Sequence, residues 1–174
     1  MRRHTLALVI AMAVASLAIP LLVSAQQKYD DSEHADLAKA MKDAKVSLQT
    51  GLTASQRDGT PISAKYEVEH DKLQLSVYTM KGDKFGETIV DHKTGKIAKT
   101  DPIPEGDDLT AAKAQAEAMA KAKRSLAAAV AGAVKANAGY RAVSVMPSLN
   151  DGHPVAEVVL LKGTDWKTAS EKLD

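Results

Sequence analysis

Cysteine is absent from all 174 residues, which excludes a disulfide framework, a thiolate metal site and a cysteine nucleophile. Aromatic residues make up only 3% of the chain, too few for the stacking platforms that grip single-stranded nucleic acid. Charge of either sign is also lacking in excess, with 23 Lys plus Arg against 22 Asp plus Glu. Two of those bases, Arg2 and Arg3, stand in an N-terminal stretch without acids, and removing them leaves 21 against 22. No general nucleic-acid binder is expected from such a balance. Catalytic motifs are missing as well: there is no Gly-rich phosphate loop, no His-Glu-x-x-His helix and no Gly-x-Ser-x-Gly elbow. Ser47, Ser55, Ser63 and Ser76 are scattered among polar neighbours. The carboxylates of Asp30-Asp31, Asp107-Asp108 and Glu67/Glu69 fall at helix starts or on solvent-facing strand positions, where capping and solubility account for them. No catalytic residue and no cofactor is assigned.

What the chain does have is 45% hydrophobic content, enough for the core of one ordinary domain or two small ones. Its first segment has the layout of an export signal. Met1-Arg2-Arg3-His4 is a basic start, Leu6 to Val23 is apolar apart from Ser16 and Pro20, and Val23-Ser24-Ala25 supplies small residues for cleavage. We expect residues 1–25 to be removed after Ala25, with Sec the expected route and Arg2-Arg3 a pointer to twin-arginine export. A periplasmic or secreted location follows, with no membrane span once the signal is cleaved. The lack of thiols suits an oxidising compartment.

Past the leader, a shift of 78 residues lays one half of the chain over the other. Ala40-Met41 meets Ala118-Met119, Ala44-Lys45 meets Ala122-Lys123, Ser47-Leu48 meets Ser125-Leu126, and Ala64 meets Ala142. Three residues of insertion later, Lys81-Gly82 meets Lys162-Gly163 and Phe85 meets Trp166. Asp101 to Asp108, with two prolines, a glycine and four acids, reads as the linker between a first repeat over 26–100 and a second over 109–174. Each half passes from a period of 3.6 to a period of 2. Leu37, Met41, Ala44 and Leu48 predict an amphipathic helix, and Ser47 is placed to cap a second helical piece running toward Arg57. Ile62, Ala64, Tyr66 and Val68 then alternate with Ser63, Lys65, Glu67 and Glu69 as a half-buried strand. Leu73, Leu75 and Val77 repeat the pattern after His70-Asp71-Lys72, and Lys81-Gly82-Asp83-Lys84 turns into a third strand from Phe85 to Asp91. In the second half a helical stretch from about Thr110 to Asn137 is expected to bend or break near Gly132. Strands follow at Tyr140 to Met146 and Val155 to Leu161, the latter apolar on both faces apart from Glu157 and so expected to be covered on both sides. The expected fold class is α+β, with two repeats, each an N-terminal helix followed by an antiparallel β-meander of three or so strands.

Val46-Ser47-Leu48, Tyr66-Glu67-Val68, Lys81-Gly82-Asp83 and above all Ile89-Val90-Asp91-His92-Lys93-Thr94-Gly95-Lys96-Ile97 resemble the PepSY domain of exported bacterial proteins. The resemblance covers about Val46 to Lys99, and its most specific part is the closing Val-Asp-x-x-Thr-Gly-x-Ile pattern. The second half looks like a degenerate copy. It keeps Ser125-Leu126, the strands and Trp166, but ends Thr168 to Asp174 without an Asp-x-x-Thr-Gly turn, which leaves its last strand without a signal. PepSY domains resemble a module in the propeptides of thermolysin-like metalloproteases, so the resemblance implies a non-catalytic role in protease inhibition or regulation.

The residues of that turn have their own physical reading. Asp91 can accept hydrogen bonds from backbone N–H groups across Lys93 to Gly95, and Gly95 can take the positive φ that closes a tight turn. Tyr66, Asp91, Thr94 and Gly95 are thus expected to form a structural motif, with Tyr66, Phe85 and Trp166 as packing residues. Beyond the leader, His34, His70, His92 and His153 show no chelate spacing. No metal site is assigned, and His70 and His92, each beside an acid, are the candidates folding could bring together. The expected function is a binding module that holds a protein partner, such as a protease, through a sheet edge. The alternative is an envelope protein that binds a metal or small ligand.

Overall fold

The computed structural model describes residues 31–174; the leader and its cleavage site lie outside them. The architecture is α+β, with four helices and one seven-stranded antiparallel sheet. Helix α1 (Asp31–Ala40) runs into a 3-10 turn (Met41–Asp43), and α2 (Leu48–Ser55) follows. Strands β1 (Thr60–Glu69), β2 (Lys72–Lys81), β3 (Lys84–Val90) and β4 (Ile97–Pro102) come next. Then come α3 (Gly106–Lys121), α4 (Leu126–Ala136), β5 (Arg141–Asn150), β6 (His153–Lys162) and β7 (Asp165–Lys172). Asp101 and Pro102 therefore belong to β4, and Gly106 to Asp108 open α3, so only residues 103–105 of the expected linker lie outside regular structure.

Two serines start the two central helices in the same way. Ser47 and Ser125 hold extended backbone, and their hydroxyls accept from Thr50 N at 3.1 Å and Ala128 N at 3.2 Å, satisfying a donor that the first turn leaves free. The buried faces follow at one spacing, with Leu48, Gly51, Leu52 and Ser55 on α2 and Leu126, Ala129, Val130 and Ala133 on α4. Gly51 has a packing reason, because a Cβ there would come within 2.6 Å of the buried Leu75 side chain. The expected long helix breaks at Ala122 to Ser125 and not near Gly132, which sits inside α4. Ala122 turns extended, Lys123 N and Arg124 N both donate to Leu173 O at 2.6 and 2.9 Å, and Ser125 then restarts the helix. Gly132 instead makes room, since a Cβ there would lie 3.0 Å from Glu171 Oε2 and 3.3 Å from Arg124 Nη2.

Sheet order is β4-β3-β2-β1-β5-β6-β7. The β1–β2 and β5–β6 hairpins close through two residues of positive φ, His70-Asp71 (49° and 59°) and Asp151-Gly152 (50° and 82°), which match the strand twist. Each hairpin carries one bulge, between Pro61 and Ser63 and between Ala142 and Ser144. At the centre β1 and β5 pair only through Ala64↔Val145 and Lys65↔Ser144. Strand β7 forms in full after the Lys162-Gly163 turn, even though no Asp-x-x-Thr-Gly turn follows it: its residues pair with β6 from Lys162↔Asp165 to Val155↔Lys172.

Along β2, Leu75 and Val77 face the main core with α2, while Tyr78 and Met80 point the other way and pack with Ile62 and with Ala112 and Ala116 of α3. Strand β6, apolar on both faces, is met by both α4 and α3. One core joins the halves, with Leu48, Leu52, Tyr66 and Val77 beside Val130, Val145, Val158 and Leu160. The joint is reinforced by Arg141, whose guanidinium donates to Met41 O at 2.9 Å, Ala44 O at 3.1 Å and Val46 O at 3.3 Å. Arg141→Ala is expected to cost about 3 kcal/mol by leaving half-buried carbonyls unpaired. Urea unfolding should show this as a lower midpoint in a single transition, and two separate transitions would contradict the shared core.

Candidate functional site

The turn after β3 is built on one carboxylate. Asp91 Oδ1 accepts from Thr94 N at 2.6 Å, Thr94 Oγ1 at 2.7 Å and Lys93 N at 3.1 Å. Gly95 N returns to Asp91 O at 2.8 Å, and Asp91 N donates to Lys96 O at 2.8 Å, which aligns the chain for β4. Gly95 sits at φ +74°, and a Cβ there would meet Thr50 only at an ordinary 3.4 Å, so backbone conformation and not space calls for glycine. The Thr94 hydroxyl first, and the Thr94 and Lys93 amides with it, hold the Asp91 carboxyl below its usual range. Next to this turn, Lys45 N and Val46 N both donate to His92 O, at 2.9 and 3.0 Å. Tyr66 is remote from solvent: its ring is fully buried and its hydroxyl donates to Val46 O at 2.5 Å. Burial pushes the Tyr66 phenol up to about 12, with the Arg141 charge working against it.

His70 occupies the β1–β2 turn, with Nδ1 3.8 Å from Glu69, and His92 lies beyond β3. Among the described residues no group of three or more His, Asp or Glu gathers as metal ligands. A groove of about 380 Å³ runs over α2, lined by Gln49, Thr50, Thr53 and Ala54, none of which titrates. No helix among the described residues is long and apolar enough to cross a membrane.

A polar cluster on the α3 side of the sheet was missed in the sequence, where Glu67 reads as a solvated position. Glu67 binds Lys65 Nζ at 2.6 Å through one oxygen and the buried Ser76 hydroxyl at 2.6 Å through the other, while Gln74 donates to Ser76 at 3.0 Å. Lys65 Nζ also stands 5.8 Å from the Tyr78 ring centre. Burial raises the Tyr78 phenol and the Glu87 carboxyl, and neighbouring acids add to both shifts. A two-residue hairpin at His70-Asp71 brings Lys65 opposite Ser76 and Glu67 opposite Gln74, so this face was available from register alone. Its Lys, Ser and Glu bond one another, and Glu87 lies close enough for the Glu67 charge to add to its upward shift.

The two outer strands differ in what they offer a partner. On β4, Ile103 N donates inward to Phe85 O, so Pro102 and Thr100 face outward. Proline there has no donor to give, and the β3–β4 register shifts between Ile89 and Val90, so the edge is interrupted. On β7, Leu173 N donates to Pro154 O, which sets the parity of the β6–β7 ladder. Asp165, Lys167, Ala169 and Glu171 bond inward, and the backbone groups of Trp166, Thr168, Ser170 and Lys172 point outward. This run has no proline and no register shift. Lys172 O already accepts from Arg124 Nη1 at 2.7 Å, and the ring of Trp166 stacks on His34 of α1 at 4.5 Å. No family model matches the chain, and no curated protein and no solved structure matches it either.

Thr94→Ala should move the Asp91 carboxyl upward toward the ordinary range near 4. The depressed value means that Asp91 contributes stability above the usual carboxylate pKa and loses it as pH falls through the lowered one. The variant should therefore be less stable than the parent at neutral pH and should lose less stability as pH falls through the carboxylate range, so the difference between the two shrinks in acid, with NMR carboxyl titration as the check. Tyr66 works in the opposite direction. Its raised value gives stability that is complete below about pH 10 and lost as pH climbs toward about 12. The stability difference between the protein and Tyr66→Phe should shrink across that window, and a constant difference would contradict the burial of the phenol.

Proposed function

We propose that the chain is an exported, non-catalytic, PepSY-like binding module of two related units, which holds a protein partner by accepting an extended segment along β7. The carrying observation is the continuous outward row of backbone groups on β7 from Trp166 to Ser170, unbroken by proline or register shift. A strand laid there gains main-chain hydrogen bonds for affinity, and it meets Trp166, Thr168 and Ser170 on one face and Lys167 and Ala169 on the other for choice. A protease held in this way would be masked, not modified. The signal-like layout of residues 1–25 and the PepSY resemblance support a location for the module and its partner in the cell envelope or outside it.

Three features support two related units. Ser47 and Ser125 cap at a spacing of 78 residues, and the buried positions of α2 and α4 keep that spacing. Strands β2 and β6 and the glycine turns at Gly82 and Gly163 stand 81 apart. Helix α4 has 11 residues to the 8 of α2, which puts the three-residue change inside the helix and ahead of the strands. Ala64 then corresponds to Val145 and not to Ala142, and Ala64 and Val145 are cross-strand partners, as a two-fold axis through the sheet centre requires. In the first unit β4 covers β3; the equivalent side of β7 has no strand on it among the described residues.

The test is inhibition of extracellular and envelope proteases by the mature chain, repeated with Thr168→Pro. Position 168 points its N–H outward, so proline there leaves the β6–β7 ladder whole and removes a donor from the edge. Inhibition or partner retention by the parent, lost in Thr168→Pro with unchanged circular dichroism, is expected. No effect on any protease and no retained envelope protein, or equal activity of the variant, would refute the proposal.

A further inference from the structure

The open edge of β7 is complementary to itself, and we infer that a second copy of this chain is the occupant it fits in the absence of another partner. This inference rests on the reading of β7 as an available edge. Antiparallel pairing of two identical strands about a two-fold axis has only a few registers in which outward groups meet outward groups. With Lys167 on the axis, like charges oppose each other. With Thr168 on the axis, Asp165 stands against Glu171 of the second copy. With Ala169 on the axis, Lys167 opposes Glu171 twice, Thr168 opposes Ser170 twice, and Trp166 opposes Lys172 twice. That last register overlaps residues 166–172, leaves no like charges opposed, and sets an ammonium beside an indole on each side.

The rest of the strand suits this pairing. Trp166, Thr168, Ser170 and Lys172 supply the outward donors and acceptors, and Lys172 O, which already receives Arg124, keeps a second lone pair for a strand N–H. Glu171 is held by Arg124 at 3.4 Å, so the carboxylate that Lys167 of the second copy meets is positioned in advance. Ala169, on the axis, has no bulk to hold the backbones apart. The two seven-stranded sheets join into one of fourteen strands, and the dimer closes because each copy has spent its own β7 edge. A protein partner that adds a strand to β7 must displace the second copy, so dimerisation and partner binding exclude each other.

The absence of cysteine makes the axis directly testable. In a non-hydrogen-bonded antiparallel pair the two Ala169 Cα atoms would lie about 4.5 Å apart, within disulfide range. The two Lys167 Cα atoms would be offset by four residues, roughly 13 Å. Ala169→Cys in the otherwise intact mature chain is expected to oxidise to a covalent dimer, while Lys167→Cys stays monomeric under the same conditions. By sedimentation, the unmodified chain should self-associate, Lys167→Glu should weaken association about tenfold as two opposite-charge pairs become two like-charge pairs, and Thr168→Pro should be monomeric. A monomer at all concentrations, or equal cross-linking of the two cysteine variants, would overturn the self-pairing. Protease masking lost in Thr168→Pro could survive that result, whereas a dimer without any partner would leave self-pairing standing and remove the proposed function.

Discussion

The fold depends on how the irregular stretch from Met41 to Val46 has its carbonyls satisfied. Those residues leave one helix and enter the next without a regular ladder, yet Met41, Ala44 and Val46 are buried. A carbonyl removed from water without a donor costs as much as several good apolar contacts return. Arg141 supplies donors to three of them from the first residue of β5, and Tyr66 supplies a fourth bond from β1. Val46 O therefore takes a donor from each of the two strands that meet at the centre of the sheet. Because β1 and β5 share only two register pairs, this polar clasp and the apolar core around it carry the connection between the halves.

The same need explains why the connecting segments lie where they do. Lys45 and Val46 turn their amides onto His92 O, and Lys123 and Arg124 turn theirs onto Leu173 O. In both cases a segment between two helices is fastened just beyond the third strand of its half, β3 in the first and β7 in the second. Arg124 then reaches Glu171 and Lys172 O, and Gly132 in the next helix leaves the space in which that pair sits. A glycine that local propensity marks as a weak point of a helix is thus kept for the side chains it admits. Helix position, strand end and ion pair form one unit.

Much of this was legible because short-range chemistry dominated it. Ser47 and Ser125 announce helix starts through a hydroxyl next to apolar periodicity, and Asp91, Thr94 and Gly95 encode their turn within five residues. Strands β1 and β2 alternate plainly. The break between α3 and α4 was hidden, since an alanine-rich run has the same propensity on both sides of Ala122 and the deciding acceptor, Leu173 O, is some fifty residues away. Strand β7 was hidden for a related reason: Lys167, Thr168, Ser170 and Glu171 do not alternate in polarity, because an edge strand with one exposed face has little apolar surface to bury. The cluster of Lys65, Glu67 and Ser76 needed pairing across the hairpin, and the meeting of β1 with β5 needed pairing across the whole chain.

The division of polar groups between paired and open is what supports the proposed role in recognition. Glu67 is occupied by Lys65 and Ser76, Asp91 by its own turn, Glu171 by Arg124, and the Tyr66 hydroxyl by Val46 O. These side chains have spent hydrogen-bonding capacity inside the fold. Backbone groups along β7 have not. Natural edges are blunted by proline, bulges or cover when pairing would be harmful, and β4 has both a proline and a register shift. Strand β7 has neither, though Lys167 and Lys172 stand on it, and this difference between the two outer strands is the observation on which the proposed strand pairing rests.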